Sequence, residues 1–123
     1  MITIGVIGAG VMGERLVRAA LDHAADTVEI AGIWDPSAEA MARMAEAFPD
    51  VARLESADAV VASAECVYIA SPPATHIGHA RAVLEEGRAL FCEKPLAVDV
   101  IEARGFVAAA TGVRAAVNFP FAS

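Results

Sequence analysis

A doubly wound α/β fold, in which a parallel sheet lies between two layers of helices, is predicted by three features of this 123-residue chain. Apolar strand-like runs recur at about 2–7, 28–34, 66–70, 89–92 and 114–118, with a weaker one near 51–54, and helical patterns fill most gaps between them. A glycine-rich turn joins the first run to the first helical pattern, and the second run ends on an acidic residue. Strands that alternate with helices are joined by crossovers and therefore pair in parallel. Six such strands fit the order 3-2-1-4-5-6, whose ligand crevice lies at the carboxyl ends of strands 1 and 4.

The first run, Ile2 to Ile7, leads into Gly8-Ala9-Gly10-Val11-Met12-Gly13, a G-x-G-x-x-G placed between strand and helix. Gly8 permits the tight turn, Gly10 lets the backbone approach a pyrophosphate, and Gly13 lets the helix lie close to the strand. An anion held there would rest on free N–H groups around Val11 and Met12, where the helix dipole is positive. The second run, Val28 to Trp34, ends at Asp35, about twenty residues beyond Gly13, where a nucleotide-binding βαβ unit places an acid on the ribose hydroxyls. Asp35-Pro36-Ser37 also has the composition of a helix N-terminus, with Asp or Ser as the cap, and the two roles are compatible.

From Ser37 to Phe48 the residues Met41, Met44, Ala45 and Phe48 form a helical stripe that reads as core, and Pro49 stops the helix. Ile77, Ala80 and Leu84 line a further helical face, with Gly87 where a C′ residue belongs. Asp99 with Glu102 resembles a capping box heading a helix that runs to about Ala110, and Gly112 ends it.

The length suits one domain with one core. Hydrophobic residues make up 57% of the chain, 29 of them alanine and only seven aromatic, which suits helices packed tightly on a sheet. Nine basic against 16 acidic residues give a net charge of −7 without a basic cluster. Nucleic acid and anionic membrane surfaces are therefore excluded as expected partners, and a bound nucleotide would have to be held by backbone N–H groups. No apolar run approaches the roughly 18 residues of a membrane span, so the expected location is cytoplasmic. Cys66 and Cys92 lie in strand-like apolar surroundings without histidine partners, which suggests small buried hydrophobes and no metal site.

Two later motifs complete the pattern. Ser71-Pro72-Pro73-Ala74-Thr75-His76 follows the third strong run, and Glu93-Lys94-Pro95-Leu96 follows the fourth. With Gly8 to Gly13, these segments resemble the nucleotide-binding half of the glucose-fructose oxidoreductase, inositol dehydrogenase and MocA (Gfo/Idh/MocA) family of NAD(P)-dependent oxidoreductases. The resemblance covers nearly the whole chain and implies a Rossmann-type sheet over residues 1–118. It implies NAD as cofactor, with NADP as the alternative, and assigns Ser71, Pro72, Pro73 and His76 to the adenosine and diphosphate side of the cleft. It places Glu93, Lys94 and Pro95 beside the nicotinamide ribose, with Lys94 as the catalytic lysine. Asn118 matches a family asparagine near the nicotinamide, whereas the arginine that often follows is replaced around Pro120. Local readings stand beside these: a helix-start hydrogen bond for His76, and a surface pair with Glu93 for Lys94. His79 receives no role.

Family members carry a second domain that builds the substrate pocket, and residues 119–123 are where the connection to it would start. The expectation is thus one half of a dehydrogenase acting on a sugar, cyclitol or related polyhydroxy compound, this half inactive alone and open to homo-oligomerisation. The alternatives are a stand-alone nucleotide-binding or sensing module and one half of a two-chain enzyme.

Overall fold

A computed structural model describes residues 1–93 and the strand at 115–118. Among the described residues five strands form one sheet: β1 (Ile2–Ile7), β2 (Val28–Trp34), β3 (Cys66–Ile69), β4 (Ala89–Glu93) and β5 (Ala115–Asn118). Their order is β2-β1-β3-β4-β5, and every neighbouring pair is parallel. Four helices are described: α1 (Val11–His23), α2 (Ala38–Ala47), α3 (Ala57–Ser63) and α4 (His76–Glu85). The expected helix from Asp99 to Ala110 lies outside the described residues.

Successive side chains of a strand point to opposite faces, so each buried strand feeds two cores. Ile7, Val67, Ile69, Leu90 and Cys92 pack with Val60 and Val61 of α3 and Ile77, Ala80 and Val83 of α4. Val6, Ile33 and Tyr68 pack with Val17 of α1 and with Ala40, Met44 and Phe48 around α2. Each fully buried Val or Ile contributes about 1.5–3 kcal/mol of transfer free energy, which is why the near-continuous apolar strands settle in the middle layer. The stripe expected on α2 is core: Met44 and Phe48 are buried, and Met41 and Ala45 half-buried.

The helix ends carry their own signals. Ser37 and Ser56 cap α2 and α3 by accepting hydrogen bonds from the N–H groups of Ala40 and Ala59 at 3.1 and 3.0 Å. Gly87 takes φ +72° after α4, and the N–H groups of Gly87 and Arg88 return to the carbonyls of Leu84 and Val83, as in a Schellman turn.

One expectation is corrected. The weak run near 51–54 is not a sixth strand; it makes a single parallel bridge, Ile33 to Arg53, beside β2. Its two bonds run from the Ile33 N–H to the Ala52 carbonyl at 3.0 Å and from the Leu54 N–H to the Ile33 carbonyl at 2.9 Å. The segment is pinched between the turn at Pro49-Asp50 and the Ser56 cap of α3, leaving no length for a ladder.

Candidate functional site

All five strands end at one edge of the sheet, bringing Gly8, Asp35, Ser71, Glu93 and Asn118 to that edge from five separate parts of the chain. The glycine turn lies at its centre. Gly8 adopts φ +111°, and a Cβ there would sit 2.6 Å from both the Ala70 carbonyl carbon and the Ser71 nitrogen. The Gly8 N–H donates to the Trp34 carbonyl at 2.8 Å, so the turn is wedged between the ends of β2 and β3. A Cβ on Gly13 would lie 2.0 Å from the Gly8 carbonyl oxygen, which makes glycine obligatory where α1 leaves the strand.

Gly10 differs from both. It is the N-cap of α1 at φ −83°, ordinary backbone for any residue, and a Cβ built on it would meet nothing within 4 Å. Among the described residues neither conformation nor packing demands glycine there. No side chain caps α1. The first-turn N–H groups of Val11, Met12 and Gly13 have no carbonyl to reach within the helix, and they sit at its positive end. An open volume over bare backbone, bordered by such donors, has the shape and polarity a pyrophosphate needs.

Asp35 follows β2 and is half-buried. One carboxylate oxygen accepts from the Ala9 N–H at 2.8 Å, and the other accepts from the Ser37 N–H, also at 2.8 Å. Ser37, not Asp35, caps α2; Asp35 ties the glycine turn to the start of that helix. Each carboxylate oxygen keeps a further lone pair after these bonds.

The Ser71-to-His76 segment is a closed hydrogen-bonded loop. Thr75 Oγ1 donates to the Pro72 carbonyl at 2.7 Å, so in the 2.6 Å contact between the two hydroxyls Ser71 Oγ is the donor to Thr75. His76 is 1% exposed, and its Nε2 meets the Ser71 carbonyl at 2.6 Å, which places the ring proton on Nε2. The local reading of His76 is thus realised: the imidazole holds the loop from below, while Pro72 and Pro73 are exposed at its rim. His79, one turn on, stacks edge-on against Trp34 with ring centres 6.3 Å apart. Burial, then the charge of His76, lowers its pKa, against an opposing pull from Asp58.

At the far end of the edge, Glu93 is 5% exposed and accepts a hydrogen bond from the Tyr68 hydroxyl of β3. Tyr68 packs its ring on Phe91 at 5.1 Å between centres. Burial, the bond to Glu93 and the carboxylate's charge together push the phenol pKa well up, so Tyr68 is the donor. Tyr68 was not singled out by the sequence: its apolar strand context resembles that of any core tyrosine. Its one signal is parity, since Tyr68 pairs with Phe91, two residues before Glu93 on the same face. Asn118 is the register partner of Glu93 across β4 and β5. Lys94 and Pro95 lie outside the described residues, as do residues 119–123.

Elsewhere, Cys92 is buried, and burial followed by the Glu93 charge pushes its pKa up to about 12. Cys66 is half-buried, and neither cysteine is in a disulfide. A cavity of about 700 Å³ opens at the opposite edge of the sheet, lined by Leu21, Val28, Ile30, Phe48 and Val51. It is a gap between helix ends without a converging set of donors; the uncapped first turn of α1 lies at the other edge. Among the described residues no three or more His, Cys, Asp or Glu gather to hold a metal, and no helix is long and apolar enough to cross a membrane.

Fold and turn together define a Rossmann-type dinucleotide-binding domain. Residues 2–119 match the Gfo/Idh/MocA oxidoreductase family, described by its NAD-binding Rossmann fold, and the chain belongs to that family. It is 34% identical over 100 residues to inositol 2-dehydrogenase 3 of Saccharopolyspora erythraea, covering 80% of this chain and 29% of that protein. Among solved structures it resembles an NAD-binding protein from Listeria innocua, at 30% identity and TM-score 0.81 over 95% of this chain and 35% of the other. GenD2 from gentamicin A biosynthesis, solved in complex with NAD, aligns at 30% identity and TM-score 0.79, over 95% of this chain and 34% of the other. The chain thus spans about a third of the length of these relatives.

Proposed function

We propose that this domain binds NAD(H) as the nucleotide-binding part of a dehydrogenase for a sugar, cyclitol or related polyhydroxy compound. The single observation that carries the binding mode is the empty space over Gly10, bordered by the uncapped first turn of α1. The N–H groups of Val11, Met12 and Gly13 would hold the pyrophosphate, and Asp35 at the end of β2 would accept from the adenosine ribose; the ends of β3, β4 and β5 would then be left for the nicotinamide half. Pro72 and Pro73 stiffen the loop that flanks the diphosphate, and buried His76 keeps that loop in shape.

NAD(H) is preferred to NADP(H). A carboxylate at Asp35 accepts bonds from ribose hydroxyls and repels a 2′-phosphate, and Pro36, Ser37 and Ala38 bring no cation to offset it.

Bound NAD supplies the hydride acceptor. The chain's own chemistry then falls to Lys94, directly after Glu93, which the family resemblance puts beside the nicotinamide. A cationic ring nearby makes the ammonium easier to deprotonate, so Lys94 takes and relays the proton of the substrate hydroxyl. The relatives are about three times as long as this chain, which supports a substrate pocket supplied by a second domain; the S. erythraea relative's name supports a polyol as the substrate class. Titration calorimetry with NADH and NADPH tests the binding claim: tighter NADPH binding contradicts the role of Asp35. In a protein that carries the second domain, Lys94→Ala lowers turnover by about 10²-fold or more while NAD affinity stays near its starting value. Undiminished turnover removes Lys94 from the mechanism.

A further inference from the structure

Trp34 closes β2 one residue before Asp35, at the carboxyl edge of the sheet, and is half-buried. Its backbone is fixed there: it pairs in register with Ile7, and its carbonyl accepts from the Gly8 N–H at 2.8 Å. The side chain packs on the face of α3 and α4, against the core that includes Ile7 and Val61. Gly32, two residues earlier on the same face, carries no side chain; a Cβ there would stand 2.5 Å from Leu54, which fills that space instead. Trp34 is therefore the last side chain that β2 presents on this face, with Leu54 on the core side and the carboxyl edge beyond. An indole left part-exposed at that point is a flat apolar surface next to the glycine turn.

His79, one turn into α4, meets Trp34 with ring centres 6.3 Å apart and ring planes at 77°. Edge contact of this kind leaves at least one face of the indole unmet by the imidazole. Burial, with the nearby His76, lowers the His79 pKa against the pull of Asp58, so the imidazole is neutral at pH 7 and adds no charge to the pair. On the opposite face of the sheet α1 leaves directly from the glycine turn, where a Cβ on Gly13 would meet the Gly8 carbonyl oxygen at 2.0 Å. A base joined to a ribose at Asp35 is thereby turned away from α1, towards Trp34 and the loop that exposes Pro72 and Pro73. We propose that Trp34 is the stacking surface for the adenine ring of the dinucleotide, an assignment that rests on the reading given under Proposed function. A purine is flat and apolar on both faces, and an indole of similar size covers one of them. Stacking adds affinity without matching hydrogen bonds, so Asp35 selects the ribose hydroxyls while Trp34 holds the base.

Trp34 is the chain's one tryptophan, so its fluorescence reports on this position alone. Addition of ADP or NAD+ is expected to quench the emission. Inorganic pyrophosphate, which can fill the space over Gly10 but carries no base, leaves it unchanged. Calorimetry with ADP then compares substituted chains. Trp34→Leu, which keeps apolar bulk against the core, is expected to bind ADP about tenfold more weakly, and Trp34→Phe to recover most of that loss. Pyrophosphate affinity, read from the amide shifts of Gly10 to Gly13, should be the same in all three chains. Unchanged ADP affinity in Trp34→Leu, or an equal loss for ADP and pyrophosphate, overturns the inference and leaves the proposed function standing. So does NAD+ binding without any change in Trp34 emission, a result that needs no substituted chain. Failure of the unsubstituted chain to bind NAD+ overturns the proposed function and this inference with it.

Discussion

Gly10 and Gly13 are both glycines of one motif, yet opposite reasons hold them, and substitution separates the reasons. A Cβ on Gly13 would stand 2.0 Å from the Gly8 carbonyl oxygen, so Gly13→Ala must push α1 off β1 or distort the turn. Overpacking of this kind costs about 1–3 kcal/mol or more, and because the contact is with backbone the upper end applies. A Cβ on Gly10 meets nothing within 4 Å, and its φ of −83° suits any residue. Gly10→Val should cost only about 1 kcal/mol, the scale of a poorer N-cap. It nonetheless fills the space in which two or three charge-assisted bonds to a pyrophosphate would form. At about 1.5–3 kcal/mol each, their loss weakens NAD binding by at least about 10²-fold. Urea denaturation and titration calorimetry on both variants give the comparison. The reasoning is refuted if Gly10→Val binds NAD with unchanged affinity, or if it unfolds as readily as Gly13→Ala.

Asp35→Ala removes the acceptor for both the Ala9 and Ser37 N–H groups, and at a half-buried site this should cost about 1–3 kcal/mol of stability in denaturant titration even without cofactor. At pH 8 iodoacetamide should alkylate half-buried Cys66 well before Cys92, whose raised pKa leaves almost no thiolate; peptide mapping by mass spectrometry reads the order, and first labelling at Cys92 contradicts its burial. The same raised pKa makes stability fall as pH rises from about 9 towards 12, because the unfolded thiol gives up a proton that the folded one keeps. His79 works in the other direction: its lowered pKa means the unfolded chain takes up a proton first, so stability falls as pH drops through about 6.5. In His79→Gln the acid loss, followed by thermal melting between pH 7 and 5, should be smaller.

The alternation of apolar runs with helical stripes was enough to read the parallel sheet, because a strand buried on both faces has little choice but to be apolar throughout. The glycine turn was legible for a related reason: Gly8 and Gly13 answer to backbone contacts that any such strand-to-helix corner makes. What could not be read depends on the third dimension. The segment at 51–54 has strand-like composition but no room for a ladder between its flanking turn and the Ser56 cap. Asp35 has the composition of a cap, yet Ser37 takes that role, because Asp35 is turned back to the Ala9 N–H, 26 residues earlier in the chain. Glu93 is put beside the nicotinamide ribose by resemblance alone, with a surface pair to Lys94 as its local alternative; only the pairing of β3 with β4 shows that the Tyr68 hydroxyl donates to it below the surface.

The central claim is that the carboxyl edge around Gly10, and not the cavity at the opposite edge, receives a dinucleotide. Backbone amide chemical shifts of the isotopically labelled chain, followed during addition of NAD+, test it directly. The largest changes are expected at Gly10 to Gly13, with a second group at Asp35 to Ser37 and a third at Ser71 to Thr75. Changes confined to Leu21, Val28 and Phe48 around the opposite cavity, or none at millimolar NAD+, would contradict it.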